Sequence, residues 1–419
     1  MPPTFLGTPV WDAGRQVTVS GVSIPWALWW PTGQETLVSF RGRHRRAPDA
    51  LHNGTQAGRF RFNVNRFALL SVLQDMTRHP SRCSRRPGRF RLVLCSFALL
   101  LVSCSTAGSP PTPAPAVPPA PVLGSATTVY DGDLGDPFLL DTHTSAGYVV
   151  FGTDDPPFHI PTATSTDLVH WRPGTDAFPQ LPSWAAPDPE FARTWAPAVI
   201  ALAGSFVMYL TVPDAASGQP CLAVATSKQA GGPYRDALGR PLVCQPELGG
   251  SIDPSVVRGP GGSLTLLWKT NGTCCTAPAP HQPATLWSQQ MQPDGLGLQE
   301  APHRLLTAER AWQRGVVEEP AATPASRGGW WLFYSGDSYD QPGYSIGVAW
   351  CRTLTEPCTE TSDHPLLSTV GDQRSPGGLE LYTRPDGSPA VVFDTWNRPP
   401  RNGRYYCCRS VDVATVQGL

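Results

Sequence analysis

A residue pair with proline second recurs through the chain: Asp136-Pro137, Ala196-Pro197, Asp253-Pro254, Glu319-Pro320 and Ser375-Pro376. The prolines are 60, 57, 66 and 56 residues apart, and each is followed by small or apolar residues. Self-similarity at a period of this size means stacked supersecondary units, each unable to bury its apolar face alone. Proline disfavours the helical region for the residue before it. Each mark is therefore expected to hold an extended residue at the entrance of a strand. About ten residues on comes a second apolar run: Tyr148-Val149-Val150-Phe151, Phe206-Val207-Met208-Tyr209, Leu264-Thr265-Leu266-Leu267-Trp268, Trp330-Trp331-Leu332-Phe333-Tyr334 and Ala390-Val391-Val392-Phe393. Turn residues separate the paired runs, among them Ala146-Gly147, Pro260-Gly261-Gly262 and Asp386-Gly387, so each pair reads as a hairpin. Third-strand candidates follow, such as Cys221 to Ala225 and Tyr344 to Ala349.

Five repeats of three or four strands predict an all-β protein, a five-bladed β-propeller. Residues that head the first strands would then converge on a central channel. With 47 Pro and 40 Gly in 419 residues, the chain suits many turns and fits long helices poorly. The 32 Lys and Arg balance 33 Asp and Glu, which gives no reason to propose nucleic acid as a partner.

Before the repeats the chain has a different character. Residues 1–75 show no sustained period and are expected to be a non-native or disordered extension, with translation beginning at Met76. Residues 76–104 read as a secretory signal: a basic stretch from Arg78 to Arg91, then the apolar run Leu92 to Val102, too short to span a membrane. The run ends in Leu101-Val102-Ser103-Cys104, which is similar to a bacterial lipobox and implies lipidation of Cys104. Residues 105–124, rich in Pro and Ala, would tether the anchor to the propeller domain at 125–419. An extracytoplasmic location, lipid-anchored or secreted, follows. Eight of the 11 cysteines fall in the globular part, an even number that suits an exported protein. Cys221 with Cys244 and Cys351 with Cys358 each lie within one repeat and are expected to pair. The pairing of Cys274, Cys275, Cys407 and Cys408 stays open.

The repeat marks also carry the chemistry. Asp136 heads the first repeat, Asp253 the third, and Glu318 and Glu319 precede Pro320 in the fourth. Carboxylates in phase with such a repeat would be forced together, and like charges in one site raise at least one pKa. Two carboxyls with separated pKa values are the equipment of a glycosidase: an acid for the leaving oxygen, and a base or nucleophile for the anomeric carbon.

Here the residues resemble a family. Gly135-Asp136-Pro137, Trp195-Ala196-Pro197-Ala198-Val199, Ser251-Ile252-Asp253-Pro254-Ser255 and Val317-Glu318-Glu319-Pro320 are similar, in order and phase, to motifs of the family 43 glycoside hydrolases. Those are five-bladed propellers acting on arabinofuranosides and xylosides. The resemblance covers about residues 127–410. It implies an inverting mechanism with Asp136 as general base, Glu318 as general acid and Asp253 tuning and orienting the acid. Glu319 departs from the family's Glu-x-Pro pattern, where x is small, and leaves open which glutamate is the acid. Many members carry a His after Pro-Gly in the fifth blade, beside a channel calcium. This chain has Ser375-Pro376-Gly377-Gly378, so no metal or other cofactor is expected. Trp195 is read either as a sugar-stacking platform in the binding site or as blade core. The expected partner is an oligosaccharide or polysaccharide, bound by a monomer that meets a membrane only through Cys104. Two competing readings are a carbohydrate-binding propeller without catalysis and a retaining fructan-type enzyme. The latter carries Arg-Asp-Pro and Glu-Cys where this chain has Ile252-Asp253-Pro254 and Glu318-Glu319-Pro320.

Overall fold

A computed structural model describes residues 117–186, 193–272 and 282–419, together with the backbone of one hairpin, Gln16–Val19 paired with Val22–Pro25. The chain divides into two compact units, Met1–Ser105 and Thr106–Leu419. The signal segment, Cys104 and the greater part of the tether lie outside the described residues, as do Cys274 and Cys275.

In the second unit, five antiparallel sheets form a five-bladed propeller. Blade I contains Phe138–Asp141, Tyr148–Phe151, Thr162–Ser165 and Trp171–Pro173; blade II contains Trp195–Leu202, Ser205–Pro213, Pro220–Ser227 and Arg235–Asp236. Blade III runs from Ser251–Arg258 through Leu264–Thr270 and Thr285–Gln290 to His303–Thr307, and blade IV from Val317–Pro324 through Trp330–Gly336 and Ser345–Cys351 to Thr359–Glu360. Blade V is built from Arg374–Thr383, Pro389–Trp396 and Arg409–Gln417, and it is completed by the other end of the domain. Val122–Leu123 and Thr127–Tyr130 both pair with Arg409–Gln417. That strand exchange closes the ring.

Successive side chains of a strand point to opposite faces, and here both faces are buried. In the second strand of blade II, Met208, Leu210 and Val212 pack against Leu140 and Phe151 of blade I. The alternate residues Val207 and Tyr209 pack against Leu266 and Trp268 of blade III. Equivalent clusters fill the seams between III and IV, between IV and V, and between V and I. The core is thus five wedges, one per seam. Truncating one of their fully buried residues, such as Leu210→Ala, costs about 2–5 kcal/mol. Trp331 and Trp350 lie in the IV–V wedge, and Trp330 packs on the III–IV wedge.

Cys221 and Cys244 are disulfide-bonded, as are Cys351 and Cys358, with Cα atoms 4.7 and 4.2 Å apart. A third disulfide joins Cys407 to its neighbour Cys408.

One expectation fails. The residues before the five prolines are not extended. Asp136, Ala196, Asp253, Glu319 and Ser375 have φ of 52, 46, 55, 51 and 47°, in the left-handed region. The sheet register shows why. In blade III, Ile252 pairs with Lys269 and Ser255 with Leu267, so Asp253 and Pro254 together oppose Trp268 alone. The first strands of blades II, IV and V skip register at the same point. Each mark is a β-bulge whose first residue is left-handed and whose second is a proline, which has no N–H to give the ladder. A left-handed non-glycine residue costs roughly 1–2 kcal/mol. That cost, repeated blade by blade, is what re-aims Asp136, Ala196, Asp253 and Glu319 at the axis.

Candidate active site

The bulge residues Asp136, Ala196, Asp253 and Glu319, with Gly378 from blade V, line one narrow channel. Its contents are mostly acidic. Glu319 lies within electrostatic reach of Asp136, Asp253, Glu318 and Asp394, while the cations in contact with these groups are Lys269 and Arg409.

Asp136 is the carboxylate held most firmly in its charged form. Arg409 Nη1 donates to its Oδ1 at 2.6 Å, and the Thr153 hydroxyl donates to Oδ2. Burial alone would raise the Asp136 pKa, but the Arg409 charge and hydrogen bonds from Thr153, Glu319 and Arg409 overcome it and leave the pKa below the usual carboxylate range. Gly135 makes the approach possible, because a Cβ there would lie 1.6 Å from Arg409 Cζ. Arg409 also reaches Asp394 Oδ2 at 3.0 Å, and that oxygen accepts the Asp136 backbone N–H at 3.3 Å. Burial pushes Asp394 up to about 7 against the pull of Arg409.

Asp253 has the opposite surroundings. It is buried, and burial pushes its pKa up to about 8; Lys269 pulls down, while the charges of Glu318 and Asp136 push up. Its Oδ2 accepts the Glu319 backbone N–H at 3.3 Å, and its own N–H donates to Thr211 Oγ1 at 3.1 Å.

The two glutamates of blade IV are adjacent in sequence but differently held. Glu318 Oε2 accepts from Lys269 Nζ at 2.7 Å, and Glu318 Oε1 lies 2.7 Å from the Tyr344 hydroxyl. Lys269 is itself buried, with its side chain 4% exposed, so its charge is directed at Glu318 rather than at solvent. Glu319 Oε2 takes contacts from Ser335 Oγ at 2.7 Å, the Tyr344 hydroxyl at 2.6 Å and the Gly378 N–H at 2.7 Å. Burial and the neighbouring carboxylates hold its pKa well above the ordinary value.

Trp195 heads the first strand of blade II and is partly buried, outside the core wedges. Its indole N–H donates to Asp154, whose pKa burial pushes up to about 6.

A protein-family model described as glycosyl hydrolases family 43 matches residues 126–417. The chain belongs to this family. It is a glycosidase. Three solved structures show how far the shared fold extends. A thermostable family-43 glycoside hydrolase is 24% identical, with a TM-score of 0.58 over 71% of this chain and 95% of the other. An endo-1,4-beta-xylanase from Bacteroides thetaiotaomicron is 22% identical, with a TM-score of 0.55 over 70% of this chain and 97% of the other. An endo-arabinase from the same organism is 17% identical, with a TM-score of 0.54 over 69% of this chain and 96% of the other. No curated protein sequence matches.

For this family-43 chain the question of a channel calcium can be put to the residues themselves, and they do not fit one. Gly378 brings no side chain, and the cation between Asp136 and Asp394 is the Arg409 guanidinium. Among the described residues, the groupings with metal-ligand spacing are Asp133 with Cys407 and Cys408, and Asp214 with Cys221 and Cys244. In both, the sulfurs are already joined to each other.

The fold therefore brings Asp136, Asp253 and Glu319 to one channel, with Glu318 within electrostatic reach of Asp253 and Glu319 and Trp195 at the head of a neighbouring strand. Sequence reasoning missed Arg409, Thr153, Asp154 and Tyr344. Gly135 and Gly377-Gly378 were the available signal, since small residues beside a motif mark close approach. His159 faces Asp176 at 3.4 Å.

Proposed function

We propose that this glycosidase hydrolyses arabinose- or xylose-containing polysaccharides by a single displacement that inverts the anomeric centre. Asp136 is the general base for water, Glu318 the general acid for the leaving oxygen, and Asp253 the group that orients and tunes the acid. The observation that carries the reading is the contrast in charge support. Asp136 is held ionised by Arg409 and Thr153 and can accept a proton from water. On blade IV, Glu318 keeps one oxygen on Lys269 and the other on the Tyr344 hydroxyl. Glu318 is favoured over Glu319 as the acid because the Glu319 carboxyl is engaged by Ser335, Tyr344, Gly378 and Asp136. Arabinose or xylose as substrate rests on the sequence motifs and on the enzymes whose structures share the fold, among them an endo-arabinase and an alpha-L-arabinofuranosidase from Lactobacillus brevis.

Proton NMR of the first-formed sugar from nitrophenyl α-L-arabinofuranoside and nitrophenyl β-D-xyloside tests substrate and stereochemistry together. Hydrolysis with inverted configuration is expected; a retained configuration would overturn the mechanism. Export by lipidation of Cys104 belongs to the same reading, and mass spectrometry of the native membrane fraction should find that cysteine modified.

A further inference from the structure

A hydrogen-bonded chain joins the two ends of the proposed chemistry. Asp136 is hydrogen-bonded to the Glu319 carboxyl, Glu319 Oε2 lies 2.6 Å from the Tyr344 hydroxyl, and that hydroxyl lies 2.7 Å from Glu318 Oε1. Counting hydrogens constrains it. Tyr344 has one hydroxyl hydrogen and two carboxyl neighbours within hydrogen-bond distance, so one of those contacts must use a proton carried by a carboxyl. Likewise, two carboxyls in contact, Asp136 and Glu319, need one proton between them.

The chain can run in either direction, and one of the two orientations has both catalytic groups ready. In that one, Glu318 donates to the Tyr344 oxygen, Tyr344 donates to Glu319 Oε2, and Glu319 donates through its other oxygen to Asp136. Ser335 and the Gly378 N–H also donate to Oε2, which favours this orientation by keeping the Glu319 proton on the Asp136 side. In it Asp136 is ionised and Glu318 protonated, the state an inverting enzyme needs before turnover.

The channel is built to admit the chain. A Cβ on Gly377 would meet Tyr344 Cε1 at 2.0 Å, and one on Gly378 would lie 3.1 Å from Asp136 Cα and 3.4 Å from Glu319 Oε1. The glycine pair of blade V and the extra glutamate of blade IV are one feature: space on one strand taken up by a carboxyl from the next.

We propose that Glu319 and Tyr344 form an internal proton path from Asp136 to Glu318 that resets the pair after each turnover. The path rests on the inverting assignment above. In hydrolysis Asp136 takes a proton from the attacking water and Glu318 gives one to the leaving oxygen. That leaves Asp136 neutral and Glu318 charged. Glu319 then passes its proton through the Tyr344 hydroxyl to Glu318, and Asp136 replaces it on Glu319. One proton leaves the base, one arrives at the acid, and Glu319 and Tyr344 end as they began. Both are positioning residues, since neither needs to touch the sugar.

Steady-state kinetics in dilute buffer test this. Reset follows bond cleavage, so it enters kcat and not kcat/KM. Glu319→Gln keeps an N–H for Asp136 and a carbonyl for Tyr344 but cannot hand a proton on. Its kcat should fall about tenfold or more, with kcat/KM within about threefold of the parent, and excess imidazole should restore kcat by supplying the proton from solution. Tyr344→Phe, which cuts the same path at its other joint, should behave alike. Unchanged kcat in dilute buffer in both variants would overturn the path. So would kcat and kcat/KM falling together without rescue by imidazole, the mark of a purely structural role. Failure of the underlying assignment looks different: a retained anomeric configuration in the parent enzyme, or a Glu319→Gln loss confined to poor leaving groups, which would make Glu319 the acid.

Discussion

Asp136 and Asp253 share a dipeptide, a bulge and nearly the same backbone, with φ of 52° and 55°. They nevertheless hold their protons on opposite sides of neutrality. Asp136 has a guanidinium, a threonine hydroxyl and a carboxyl O–H on its oxygens, which together outweigh its burial. Asp253 receives one long backbone N–H, and burial pushes it up to about 8. The motif therefore aims a carboxyl at the channel, and the strands on either side decide whether that carboxyl is a base or a neutral acid. Blades II and V carry the same bulge with Ala196 and Ser375, which have no carboxyl at that position.

The largest expected effect tests the charged member of the pair. Asp136→Asn should cut kcat by about 10³-fold or more on every substrate, because water activation is needed whatever the leaving group. Loss on some substrates only would remove it from the base role. Next, Glu318→Gln should lower turnover of alkyl glycosides by about 10²-fold or more and spare dinitrophenyl glycosides, which scarcely need protonation. Equal loss on both would break the assignment of the acid.

Arg409→Met examines the cause of the contrast directly. Removing the guanidinium leaves Asp136 and Asp394 buried without their cation, a loss of about 3–5 kcal/mol in stability by denaturant unfolding. It should also raise the Asp136 pKa, so the acid limb of the kcat/KM profile should move to higher pH. An unmoved limb would mean that Arg409 does not set the charge of Asp136. The smallest effect belongs to Asp253→Asn. Asp253 stays protonated below about 8, and there the amide is close to its equal in charge and shape. The two pH profiles should nearly coincide at neutral pH and separate only above about pH 8, where the parent gains a charge and the variant cannot. A large defect at pH 6 would show that Asp253 works as an anion.

The same contrast explains how far a sequence reading could go. The period of the X-Pro marks carries the blade count, because each blade must turn back to the axis, and it phases Asp136, Asp253 and the Glu318-Glu319 pair. What decides their protonation comes from elsewhere in the chain. Arg409 is 273 residues from Asp136 and belongs to no motif. Tyr344 reaches Glu319 from a third-strand run that reads only as apolar filling. The left-handed backbone at the marks was hidden for another reason. Proline's known effect on its predecessor is a rule for isolated chain, and a bulge repeated in every ring segment overrides it. Glu319 was visible only as a misfit, since its meaning depends on the space left by Gly377 and Gly378 one blade away.

The closure of blade V by Val122–Leu123 and Thr127–Tyr130 has a consequence for biosynthesis. Val411 pairs with Tyr130 and Val416 with Leu123, so the first strands of the domain to leave the ribosome wait for nearly the last. Until then, the fifth blade lacks its outer strands and the nascent ring stays open. Pairings of such long sequence separation are slow to form and leave an unpaired edge exposed to neighbouring chains in the interval. Arg409, the cation on which Asp136 depends, lies on that last strand, so the site gains its charge balance only at the final step of assembly.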